Sequence, residues 1–157
     1  MENNDIENFW KEYQTYSGNN IKKYDDIFSF GDTSKMADDL LELIINGKKR
    51  GTTSLLKLYE IDKEKIPQKD SISIVLNRNN IPMAIIKDID IKILSFNEIG
   101  ENEAKIEGEG DCSLDYWKRI HRKFFEEECL KYKIKFDERM LVVFETFELI
   151  YCKNKSL

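Results

Sequence analysis

The amino-acid sequence predicts an α+β fold in which helices flank a curved sheet, mixed or mostly antiparallel, of four or five strands. Three observations lead there. Residues 71–94 hold two runs of period-two alternation around a turn signal; residues 36–45 and 114–129 hold apolar side chains at helical spacing; and the closing run MLVVFETFELIY is β-branched and aromatic throughout.

The elements follow in order along the chain. Ile6, Phe9, Trp10, Tyr13 and Tyr16 recur at helical spacing, with Asn4 and Glu7 placed as a capping box and Gly18 as a stop, which predicts an aromatic-faced helix over about 4–17. After a polar stretch and FSFGD, Asp32 is positioned to cap a second helix carrying Met36, Ala37, Leu40, Leu41, Ile44 and Ile45, ended by Asn46-Gly47. Thr52–Tyr59 reads as extended. Beyond Pro67, Ile72, Ile74 and Leu76 alternate with Ser71, Ser73 and Val75, and Arg78-Asn79-Asn80 reads as a hairpin turn. The returning run sets Ile89, Ile91 and Ile93 against Asp88, Asp90 and Lys92, the pattern of a strand with one wet face.

Ser95–Glu107 is weakly helical, and the two glycines of EGEGD break it. Ser113 then starts a helix whose broad apolar face holds Leu114, Trp117, Ile120, His121, Phe124, Phe125 and Cys129. The final run is too long and apolar for an edge and is expected as a central strand, although Glu145 shares its face with Val143 and Phe147. No repeat or linker divides the chain, so residues 1–157 are expected to form one domain.

Composition narrows the function classes. With 30 acidic against 25 basic residues and a net charge of −5, the chain is not built to coat long duplex nucleic acid, so any nucleic-acid contact must be local. Basic residues concentrate at Lys48-Lys49-Arg50 and at Lys118, Arg119, Arg122 and Lys123. The 3 cysteines show no CxxC spacing, which points away from a disulfide framework or zinc site and towards a reducing cytoplasm. No apolar run approaches a membrane span, and a single histidine does not define a metal site, so neither membrane, metal nor cofactor is expected.

Two segments carry candidate chemistry, and each has a plain alternative. The stretch Gly47–Thr52 runs from a helix end into a strand; its glycines permit close backbone approach to a ligand, but Gly, Lys and Arg there also make an ordinary helix C-terminus. EGEGD gathers Glu107, Glu109 and Asp111, which either raise one another's pKa or hold a cation, or simply open the next helix favourably. His121 is either a satisfied core residue or a functional group, and Trp117 and Tyr116 are either core residues or cleft walls.

Taken in order, FSFGD, the helix ending in GKKRGTTSL, the block EGEGDCSLDYWKRIHRKFF and the closing FETFELIY resemble the bacterial ASCH family, named for activating-signal-cointegrator homology. The resemblance rests most on Gly-x-Lys-x-x-Thr at Gly47, Lys49 and Thr52 and on the span from Glu107 to Phe125. It implies a PUA-like small β-barrel of about five to six mostly antiparallel strands with helices packed at its openings, the helix over 4–17 being an extension. It further implies a partner that is RNA or a modified nucleoside. Family members are associated with RNA binding, with amide hydrolysis of N4-acetylcytidine and with RNA cleavage.

In the amidohydrolase branch a Lys, a Thr and a Glu carry the chemistry, a pattern that matches Lys49, Thr52 and Glu107. Phe30, Gly47, Arg50, Ser54, Tyr116, Trp117 and His121 are the accompanying substrate-binding candidates. That branch is shorter and lacks the helix holding Tyr116 and His121; the longer form here resembles the subgroup linked with ribonuclease activity. Either hydrolysis sets a polarised nucleophile against a tuned Lys–Glu pair, with Lys49 activating Thr52 or with Glu107, His121 and Lys49 acting on a ribose 2′-hydroxyl and phosphate. A non-catalytic RNA-binding module is the alternative, with Lys49, Arg50 and Arg119 on phosphate and Phe30, Tyr116 or Trp117 on a base.

Overall fold

A computed structural model describes residues 2–18, 20–31 and 33–153. In chain order its elements are α1 (Glu2–Ser17), β1 (Asp26–Phe28), α2 (Ser34–Ile45), β2 (Gly51–Leu55), α3 (Leu56–Asp62), β3 (Ile72–Leu76), β4 (Pro82–Ser95), α4 (Glu101–Glu107), α5 (Leu114–Lys131) and β5 (Leu141–Cys152), with a 3-10 turn at Phe96–Glu98. The five strands form one sheet in the order β1-β3-β4-β5-β2. β1 runs parallel to β3 and the other neighbours are antiparallel. This is the expected α+β architecture, a mixed half-barrel whose edges are β1 and β2, with β5 in the interior as its composition requires.

Three apolar clusters hold the helices to the sheet. α1 buries Phe9, Trp10 and Tyr13 against Ile72, Ile74 and Ile85. α2 sets Leu41 and Ile44 on Val75, Ile86 and Phe147. α5 packs Trp117, Phe125 and Cys129 with Phe96, Val142 and Phe144. β3 is therefore covered on both faces: its isoleucines meet α1, and Ser73 and Val75 are buried on the other side, where alternation alone suggested exposure.

Local chemistry accounts for several departures from the sequence reading. α1 begins at Glu2, so Asn4 and Glu7 lie inside the helix and do not cap it. Asp32 lies outside the described residues, and the α2 cap is Thr33, whose hydroxyl accepts from the Met36 amide. Thr52–Tyr59 is not wholly extended. The strand stops at Leu55 and α3 follows at once, with Leu58 packed on the core beside Leu55 and Tyr59 lining the cavity.

β4 departs furthest. A bulge shifts its register against β5 between Asp88, opposite Phe147, and Asp90, opposite Thr146. Asp88 is thereby turned inward and buried, and Ile89 and Ile93 are 42% and 51% exposed where alternation predicts a dry face, while Asp90 and Lys92 are exposed as expected.

Candidate active site

The site assembles where the end of α2, the end of α4 and the middle of α5 converge on β2. After the C-cap Asn46 and the left-handed Gly47, the amides of Lys48 and Lys49 donate back to the Leu43 carbonyl at 2.9 and 3.0 Å. The Arg50 amide then donates to Ile106 at 2.7 Å and its carbonyl accepts from Phe147 at 2.8 Å, fastening the loop to both α4 and β5. So clamped, the loop directs Lys49 inward while Arg50 stays exposed.

Lys49 and Glu107 are both almost wholly buried, at 2% and 1% exposure, and meet at 3.6 Å. The Lys49 Nζ also donates to the Gly51 carbonyl at 2.8 Å and to Glu109 Oε2 at 3.4 Å. Three acceptors surround the three N–H bonds of one ammonium group. The Phe30 ring centroid lies 5.5 Å from the same nitrogen, close enough for a cation–π contact.

Glu107 is the hub. Its Oε2 accepts from the Thr53 hydroxyl at 3.1 Å and from the Trp117 indole N–H, and both of its oxygens face His121 Nε2, at 3.3 and 3.2 Å. On the other side of the ring, His121 Nδ1 lies 2.9 Å from the Trp117 carbonyl. A carbonyl has no proton to give, so Nδ1 is the donor, and a proton on Nε2 as well, which makes the ring an imidazolium, is what the facing Glu107 carboxylate favours. It stacks on the Trp117 indole at 4.1 Å and 13°. Among the described residues every buried side-chain nitrogen and oxygen has a hydrogen-bond partner.

These contacts set the ionisation. Burial alone favours neutral His121, but the Glu107 charge and hydrogen bond outweigh it and raise its pKa above 6.5. Burial likewise opposes ionised Glu107, yet the charges of His121 and Lys49, with hydrogen bonds from His121 and Thr53, hold its pKa below 4.5. The signs oppose one another as pH changes. His121 stabilises the fold fully below its unfolded value of 6.5 and loses that contribution as pH rises through the folded value; Glu107 contributes fully above 4.5 and loses it as pH falls. Both contributions are present together between pH 4.5 and 6.5. The chain has 1 histidine, so its imidazole NMR signal is unambiguous, and a titration midpoint above 6.5 is the expected result. A midpoint at or below 6.5 contradicts the ion pair.

The cluster lies in the wall of a cavity of about 910 Å³. Its lining includes Phe30, Thr52, Ser54 and Tyr59 as well as Lys49, Glu107 and His121. Glu107, Glu109 and His121 offer one ligand atom each within 4.8 Å of one another, a spacing that a cation can use; Lys49 already supplies positive charge to both carboxylates.

Comparison with known proteins is decisive at this point, because the family model for the ASCH domain matches residues 26–151. The chain belongs to the ASCH domain family. No curated protein matches it. Among solved structures, the ASCH domain from Lactobacillus crispatus is 32% identical with a TM-score of 0.86, over 94% of this chain and 95% of that one. A protein from Enterococcus faecalis shares the same identity and TM-score over 94% of this chain and 88% of its own. The helix α1 precedes the residues that the ASCH family model matches.

Within this ASCH fold the sequence candidates separate. Lys49, Glu107 and His121 converge, and Phe30, Thr52 and Ser54 share their cavity. Trp117 is buried behind the site and acts through its N–H and carbonyl, not as an open stacking platform. Tyr116 lies outside the cavity lining; its ring covers Gly110 and meets the Arg119 guanidinium at 5.5 Å. Gly47 shapes the turn before Lys49. Thr53 joins the network where the motif pointed to Thr52, and Glu109, seen in sequence only as part of an acidic loop, is the second carboxylate on Lys49. Among the described residues no helix is long and apolar enough to cross a membrane.

Proposed function

We propose that this ASCH domain protein binds a nucleoside, free or as one nucleotide of an RNA, in the cavity beside Lys49 and hydrolyses a bond of that ligand. The observation that carries the reading is the buried Lys49–Glu107 ion pair, with its His121 imidazolium, set in the wall of a cavity of about 910 Å³. A cation held rigidly in a dry wall is placed to meet negative charge that develops in a transition state. Glu107, ionised and fully bonded, positions Lys49 and His121. Glu109, the less buried carboxylate on Lys49, is the base that takes a proton from the attacking water or the Thr52 hydroxyl. Because Asp88, Glu107, Glu109 and Glu145 line the cavity too, its interior suits a nucleoside with an amide substituent better than a chain of phosphates.

A non-catalytic RNA-binding module remains the second reading, favoured by one observation: the donors of Lys49 and the acceptors of Glu107 are all engaged within the protein. Incubation of the purified chain with N4-acetylcytidine and, separately, with mixed RNA, followed by mass spectrometry, decides between them. Turnover of at least one is expected. Lys49→Met and Thr52→Ala should lower it about 100-fold to 1000-fold while affinity changes only a few-fold. Measurable binding with no turnover of either substrate establishes the binding module.

A further inference from the structure

The cavity wall also carries a pair of acidic groups that the hydrolytic scheme does not use, Asp88 of β4 and Glu145 of β5. The bulge in β4 brings Asp88 inward, leaving it 3% exposed, and the register places Glu145 opposite Thr52 of β2 and Ile91 of β4. The two carboxyl groups hydrogen-bond to each other, which two carboxylates can do only with a proton between them. Burial raises both carboxyls above their ordinary values, Glu145 the further of the two, and the one proton between them leaves the pair with one negative charge. Among the described residues neither forms a salt bridge. Lys49, the cation whose charge reaches Glu145, is already bonded to Gly51, Glu107 and Glu109.

With the shared proton lying between them, the outer oxygens of the pair are acceptors carrying net negative charge. Among the described residues no arginine or lysine forms a salt bridge with the pair, and Asp26 adds further negative potential at Glu145. The complementary ligand edge offers N–H donors. The aromatic rings of Phe30 and Tyr59 line the same cavity and suit a planar ring. A base with an exocyclic amino group fits these conditions. Uracil does not, because its one N–H lies between two carbonyl oxygens that would face the carboxyl oxygens.

We infer that Asp88 and Glu145 form a base-recognition subsite that selects nucleosides bearing an exocyclic amino group, cytidine, adenosine or guanosine, over uridine. This rests on the reading of the cavity as a nucleoside site, and it deepens that reading by holding the amino edge of the base near Lys49. Both residues are specificity determinants; the hydrolytic groups remain those of the Lys49 cluster.

Calorimetric titration of the full chain with cytidine, adenosine, guanosine and uridine tests the subsite. The best amino-bearing nucleoside should bind at least about tenfold more tightly than uridine. Asp88→Asn and Glu145→Gln, each nearly isosteric, should remove most of that preference by weakening the amino-bearing ligand about tenfold while uridine changes less than about threefold. Two variants on different strands, each checked by its thermal midpoint, guard against a folding defect in one. Equal binding of uridine, or a preference that survives in both folded variants, overturns the subsite and leaves the nucleoside reading standing. If the wild-type chain binds none of the four, the nucleoside reading falls and the subsite with it.

Discussion

Glu107→Ala should destabilise the protein by about 3–5 kcal/mol, the range found when one member of a buried ion pair is removed and the other stays buried. Glu107 is 1% exposed, and four side chains depend on its carboxylate: Lys49, Thr53, Trp117 and His121. Truncation leaves Lys49 with Glu109 as its one carboxylate beside the Gly51 carbonyl and takes from the His121 imidazolium the charge that keeps it protonated. The loss should therefore grow as pH is lowered from 8 towards 5, because a protonated His121 without its partner is then the costlier state. Urea unfolding at several pH values reads this directly. The double variant Glu107→Leu with Lys49→Met, which removes both members of the pair, should recover part of the loss. A change under about 1 kcal/mol for Glu107→Ala would mean that the network does not form in solution.

The same hub shows how far the sequence could be read. The Gly47–Lys49 turn had two competing readings, a helix C-terminus and a ligand loop, and the structure makes them one feature: the Lys48 and Lys49 amides close the helix while the Lys49 side chain enters the site. The i, i+4 spacing of Trp117, His121 and Phe125 correctly signalled a buried helix face. Periodicity says nothing about polar atoms, however, so it did not show that an indole N–H and an imidazole on that face both converge on Glu107. Family order supplied the pairing of Lys49 with Glu107, residues separated by 58 positions and joined through the Arg50–Ile106 hydrogen bond.

Other positions were illegible for identifiable reasons. Thr52 and Thr53 are neighbours on a strand and point to different sides. Which of them meets Glu107 depends on where α4 ends, a tertiary fact absent from local pattern. Asp88 reads as a solvent-facing residue in perfect alternation and becomes buried because one bulge changes the parity of β4. Glu145 was visible as a carboxylate on an apolar face, but its partner could not be named without that bulge.

Gly108→Ala should cost roughly 2–5 kcal/mol, the sum of left-handed backbone strain and the displacement of close-packed atoms. Gly108 ends α4 at φ +67, and a Cβ placed there would lie 1.9 Å from the Lys48 carbonyl oxygen and 3.1 Å from the Lys49 nitrogen. Those neighbours are backbone, so no rotamer change relieves the contact; the α2–β2 loop must move away from α4. That motion separates Lys49 from Glu107, because the two side chains project from the two segments that are forced apart. Gly47→Ala is the matched control. Gly47 has φ +76, but nothing lies within 4 Å of the point its Cβ would occupy, so it should show the strain alone, about 1–2 kcal/mol. The His121 midpoint provides the second measurement: in Gly108→Ala it should fall towards 6.5 as the Lys49–Glu107–His121 geometry loosens, while in Gly47→Ala it should stay raised. Equal stability losses in the two variants, with unchanged His121 midpoints, would show that the close approach of α4 to the Lys48–Lys49 backbone is not what holds the site together.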